Sequence, residues 1–157
     1  MKASRRSVIA GALAFPFAAS AAEDPFAALE KQTGARIGVA ALDTGSSKRI
    51  SWRADERFVM CSTFKLSLAA AILTKVDKGS EQLKRRVRYG ADAPVGLSPI
   101  TSKNVARGMT VLELCEAAVV YSDNGAANTL LAALGGPEAM TAYWRSIGDK
   151  LSRLDDN

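Results

Sequence analysis

The chain has 157 residues, about half apolar and a quarter charged, the balance of an ordinary globular domain or part of a larger one. Lys2, Arg5 and Arg6 supply three of its five net positive charges, and the mixed-sign remainder lacks the footprint of a nucleic-acid binder. With no histidine, a Ser-His-Asp triad is excluded and a zinc site would need an unusual ligand set. No metal and no cofactor is expected.

In chain order, the first reading is an export signal over residues 1–21. Lys2, Arg5 and Arg6 precede the apolar stretch Ser7–Phe17, and Ala19-Ser20-Ala21 supplies the small residues of a cleavage site. Ser4-Arg5-Arg6-Ser7-Val8-Ile9 resembles a twin-arginine signal, although two arginines also suit the ordinary secretory route. The apolar run is shorter than the ~20 residues of a membrane span. The expectation is a periplasmic monomer with no stable membrane anchor, residues 22–157 forming an incomplete domain.

Asp24 and Pro25 predict a helix start, with Phe26, Leu29 and the Lys31 methylenes facing inward. Ile37–Leu42 and Arg49–Arg53 read as a β-hairpin around a five-residue loop, residues 43–47. Ser62–Val76 is helical and apolar nearly all round, which predicts a buried helix ended by Gly79. Residues 84–108 are basic and rich in Gly and Pro, hence loop with short extended pieces. Thr110 and Glu113 form a capping box opening a helix to Tyr121. A further helix runs from Gly125 to Leu134, stopped by Gly135-Gly136, and Pro137 opens another to Ile147.

Two constellations carry chemistry. Ser62 and Lys65, three apart on a helix, share one face with Cβ atoms ~5–6 Å apart. There a lysine that loses its proton through desolvation accepts the serine hydroxyl proton. The helix N-terminus favours the resulting alkoxide, and the Ser62 amide is a candidate oxyanion donor. By itself the pair is weak: a serine and a lysine three apart arise by chance about once in such a chain. An idle lysine on a buried apolar helix is costly, however. Ser122-Asp123-Asn124, in a short loop between two apolar helices, is the second constellation. Capping the following helix requires only one of these residues.

Together, Ser62-Thr63-Phe64-Lys65 and Tyr121-Ser122-Asp123-Asn124 resemble the class A serine β-lactamases. The resemblance extends over residues 24–157, through Gly135-Gly136-Pro137 and Ser152-Arg153-Leu154-Asp155. It implies an α/β (α+β) fold of the β-lactamase/D-Ala-D-Ala peptidase type, a helical domain beside an antiparallel sheet, here without the C-terminal strands. It implies a small-molecule β-lactam substrate, with Ser62 as nucleophile, Lys65 relaying its proton and Ser122 protonating the lactam nitrogen. Asn124 would hydrogen-bond the antibiotic's side-chain amide, and Asp123 would hold the loop.

Departures from the family pattern carry their own implications. The family's deacylating glutamate lies three residues beyond the position of Asp155, and the Lys-Thr-Gly strand is not found, so this chain is expected not to turn over β-lactams. Asp156 stands where the family commonly has an arginine, and Leu97 where an aromatic residue often flanks the site entrance. Cys61 resembles the cysteine of the carbapenem-hydrolysing branch, which bridges to the C-terminal half. From the residues alone, pairing of Cys61 with Cys115 stays open. A D-alanyl-D-alanine peptidase shares Ser-x-x-Lys and is the nearest alternative; a non-catalytic remnant is the other.

Overall fold

The computed structural model describes residues 24–155. The export signal and Asp156 lie outside the described residues. The chain divides into two compact units at the Phe58–Val59 bond.

The first unit is a helix followed by a hairpin. Helix α1, Pro25–Thr33, is capped by Asp24, whose carboxylate accepts the Phe26 N–H at 2.8 Å, and closes on the left-handed Gly34. Strands β1, Val39–Leu42, and β2, Arg49–Trp52, pair antiparallel with Val39 opposite Trp52. The connecting loop has one residue more than expected, because Lys48 spends its carbonyl closing the turn to Asp43 N–H. Phe26 stacks on Trp52, but Leu29 stays exposed, contrary to the inward placement expected. Glu30 grips Arg53 through both oxygens, and this pairing holds its carboxyl at about 2.

The second unit is a helical cluster. A 3-10 turn, Cys61–Thr63, leads into α2, Phe64–Asp77. The short strand β3, Arg86–Val87, lies in the expected loop region and pairs antiparallel with β4, Met109–Thr110, which follows that region. Helices α3, Val111–Val120, α4, Asn124–Leu134, and α5, Pro137–Ser146, complete the unit. Their boundaries match the sequence expectation to within a residue.

The core is built from Leu68 and Ile72 of α2, Val111 and Leu114 of α3, Leu130 and Leu131 of α4, and Met140 and Trp144 of α5. Alanines 69, 71, 117, 118, 126 and 127 fill the seams, where small side chains let helix backbones approach. The sequence expectation that α2 is buried on all sides fails. Leu66 and Leu73 are exposed because the core reaches only the face bearing Leu68, Ala69 and Ile72.

The capping box forms as read. Thr110 Oγ1 accepts the Glu113 N–H at 3.2 Å, and Glu113 Oε2 accepts the Thr110 N–H at 2.7 Å. Thr110→Ala removes one half of it and is expected to cost about 1 kcal/mol. Chemical denaturation of the two proteins reads this directly; an unchanged midpoint would mean that packing alone holds the head of α3.

Candidate active site

Four polar residues at the junction of α2 with the α3–α4 loop define the site. Ser62 sits in the 3-10 turn at the head of α2, exposed. Cys61 before it takes a left-handed backbone, φ 47°, which a side chain with a Cβ adopts only at a cost. Thr63 anchors the same turn, donating to the Met60 carbonyl.

One helical turn along, Lys65 is only 3 % exposed. Its ammonium donates to Ser122 O at 2.6 Å, Ser122 Oγ at 3.1 Å and Asn124 Oδ1 at 2.6 Å. Three N–H groups thus meet three acceptors. Burial lowers the Lys65 pKa from 10.5, and the negative charge of Asp123 only partly opposes this. The same geometry suits the neutral amine, which keeps its two carbonyl acceptors while its lone pair receives the Ser122 hydroxyl proton. Among the described residues no hydrogen bond joins Ser62 to Lys65. A buried ammonium goes where acceptors are most numerous, and the loop offers more of them than one hydroxyl.

The loop is shaped for that purpose. Ser122 has a left-handed backbone, φ 52°, and this turns its carbonyl and its hydroxyl toward Lys65. Asp123, fully buried, locks the turn. Its Oδ1 accepts from Ala126 N at 2.8 Å and Thr101 Oγ1 at 2.7 Å; its Oδ2 accepts from Ile100 N at 2.8 Å and Thr101 N at 2.9 Å. Burial pushes this carboxyl up, but the hydrogen bonds outweigh it and the pKa is lowered from 3.8.

Beside these groups lies a cavity of about 340 Å³, lined by Cys61, Ser62, Phe64, Lys65, Val95, Asn124, Ala127, Asn128, Leu131 and Leu154. Of the four expected site residues, Ser62, Lys65 and Asn124 line it. Ser122 stands behind, reached through Lys65. Leu154 is brought there by the segment after α5, where Thr141 Oγ1 accepts the Leu154 N–H at 3.0 Å. Both cysteines are free thiols: Cys61 is exposed on the cavity wall, and burial pushes the Cys115 thiol up to about 11.

A family model, the beta-lactamase enzyme family, matches residues 21–156. The chain belongs to that family. It is 49% identical over 158 residues to the carbapenem-hydrolyzing beta-lactamase KPC of Klebsiella oxytoca, covering 96% of this chain and 54% of that protein. Among solved structures, the last common ancestor of Gram-negative bacteria β-lactamase class A superposes with a TM-score of 0.79. The identity is 61%, over 83% of this chain and 50% of that one. A variant of the same ancestor gives a TM-score of 0.80 at 61% identity, over 83% of this chain and 49% of that one. The chain thus spans about half the length of the relatives it matches. The fold is that of the class A β-lactamases, helices with small antiparallel sheets.

Two further residues at the cavity and its loop stand outside the motifs of the sequence. Thr101, fully buried, grips Asp123 from a 3-10 turn, Thr101–Lys103, 22 residues earlier, and nothing in its local pattern marks it. Asn128 on the cavity wall was findable, lying four residues after Asn124 on one helix face.

Asp123→Asn swaps an acceptor for a donor facing at least one backbone N–H, and is expected to cost roughly 2–4 kcal/mol. Because the folded pKa is lowered, the stabilisation from Asp123 is complete above 3.8 and lost as pH falls through the folded value. Urea melts at neutral pH and at pH below 3.8 should show the gap between the two proteins closing in acid. A gap independent of pH would mean that Asp123 is held as the neutral acid.

Proposed function

We propose that this chain carries the nucleophile and proton-transfer half of a serine β-lactam hydrolase. Ser62 Oγ attacks the lactam carbonyl while its proton passes to the Lys65 amine. The proton then moves through Ser122 Oγ to the lactam nitrogen as the C–N bond breaks, leaving an ester on Ser62. The observation that supports this reading most is the 3.1 Å contact between Lys65 Nζ and Ser122 Oγ, with Lys65 and Ser62 lining the same cavity. The head of α2 adds a positive dipole end and the Ser62 amide for the developing oxyanion. Asn124, its Oδ1 held by Lys65, keeps its amide N–H groups for the carbonyl of the substrate side chain.

Freeing the ester is a different matter. Among the described residues no carboxylate lines the cavity. In this reading Ser62 is acylated once and the 157-residue chain does not turn over β-lactams. Residues 1–21 direct the chain to the periplasm in this reading, by the twin-arginine route.

A labelled penicillin should mark Ser62 alone, as read by peptide mass mapping, and Ser62→Ala should abolish the label. Lys65→Ala should slow acylation by roughly 10²–10⁴-fold, the range for a positioned proton carrier. Label on another residue, or a loss under about tenfold, would overturn the assignment; a chain that never takes label would favour a non-catalytic remnant. For export, N-terminal sequencing of periplasmic protein should begin near Ala22. Changing Arg5 and Arg6 together to lysine should block export, whereas unchanged export would point to the ordinary secretory route.

A further inference from the structure

Ser98 lies outside both sequence constellations, 27 residues from the helix it touches, yet it is 7 % exposed and fully engaged. Its hydroxyl donates to Val95 O at 2.8 Å and accepts the Gly125 N–H at 3.0 Å. Its carbonyl accepts from Ser102 Oγ at 2.6 Å and Ser102 N at 3.2 Å, which fixes the residue from the other side.

These bonds bear on how α4 begins. The first N–H groups of a helix have no partner within it. Asp123 serves only the Ala126 N–H with its side chain and the Ala127 N–H with its carbonyl. The Asn124 and Gly125 N–H groups are taken by the neighbouring loop, at Leu97 O (2.8 Å) and Ser98 Oγ (3.0 Å). The loop thus holds the first two residues of α4 by adjacent acceptors, and one of those two residues is Asn124. The loop also lies close to the Asn124 carboxamide, since a Cβ built on Gly96 would be 3.3 Å from its Nδ2. The bond from Ser98 to Val95 O closes the turn that sets Val95 on the cavity wall.

We propose that Ser98 is a positioning residue of the acyl-transfer site: its hydroxyl fixes the first turn of α4 against the Val95–Ser98 loop and so aims the Asn124 carboxamide at Lys65 and the cavity. This rests on the functional reading above, and the residue itself touches neither substrate nor Lys65. Ser98→Ala removes the acceptor of a buried N–H and the closure of the turn together. Ser98→Thr keeps the hydroxyl.

The experiment compares wild type, Ser98→Ala and Ser98→Thr, each verified as folded by circular dichroism and melting. Acylation of Ser62 is followed with a penicillin bearing a side-chain amide and with 6-aminopenicillanic acid, which lacks one. Ser98→Ala should lose about tenfold to a hundredfold in acylation by the first probe, the scale of a small misplacement, and distinctly less with the second. Ser98→Thr should restore most of the rate. A purely structural role predicts equal losses on both probes, and that result, or a wild-type rate in Ser98→Ala, overturns the proposal. A second readout needs no activity. The Asn124 side-chain amide resonances in 15N-asparagine-labelled protein, assigned by their loss in Asn124→Ser, should move toward solvent-exposed values in Ser98→Ala and stay in Ser98→Thr. If wild type takes no label, the acyl-transfer reading fails while these resonances still decide the placement of Asn124; unmoved resonances in Ser98→Ala overturn it.

Discussion

Burying an ammonium among apolar helices is costly unless every N–H finds an acceptor. Lys65 meets that condition by reaching from α2 to Ser122 O, Ser122 Oγ and Asn124 Oδ1. Most of the site's other features serve this contact. Ser122 adopts a left-handed backbone, Asn124 turns its carboxamide oxygen inward, and α4 starts where its first side chain reaches the amine. The outcome is a lysine held in place and partly stripped of water, which lowers its pKa below the ordinary 10.5 and favours the neutral amine more than an exposed lysine's surroundings would.

A second buried charge keeps the first in register. Asp123 lies between Ser122 and Asn124 in sequence, but its carboxylate turns away from Lys65 into the N–H groups of Ile100, Thr101 and Ala126. One side chain caps α4 and ties down the loop from Ile100. Its charge still reaches Lys65 at longer range and limits how far the amine is lowered. Alternation of function along three consecutive residues is what a tight turn permits: successive side chains point to opposite sides.

The helical frame was legible because its signals are local. Capping at Thr110–Glu113, the Gly135-Gly136 stop and Pro137 at a helix start each depend on neighbours in sequence, and each formed as read. Ser62, Lys65 and Asn124 were legible by motif and by helical spacing, and the structure gathers them on one cavity. Burial was less legible: α2 is apolar on most sides, and composition does not say which side meets the core, so Leu66 and Leu73 came out exposed. The partners that hold the loop were hidden for a different reason. Thr101 and Ser98 act across more than 20 residues of chain, in a segment whose pattern reads only as loop.

The site depends on Lys65 being desolvated and sharing a proton with Ser122 Oγ, 3.1 Å away. Titration of Lys65, followed through the 13Cε resonance of labelled lysine and assigned by its loss in Lys65→Arg, tests this most directly. The midpoint should lie below the ordinary lysine value of 10.5 and move when Ser122 is changed to alanine. A midpoint at or above 10.5, insensitive to Ser122→Ala, would contradict it.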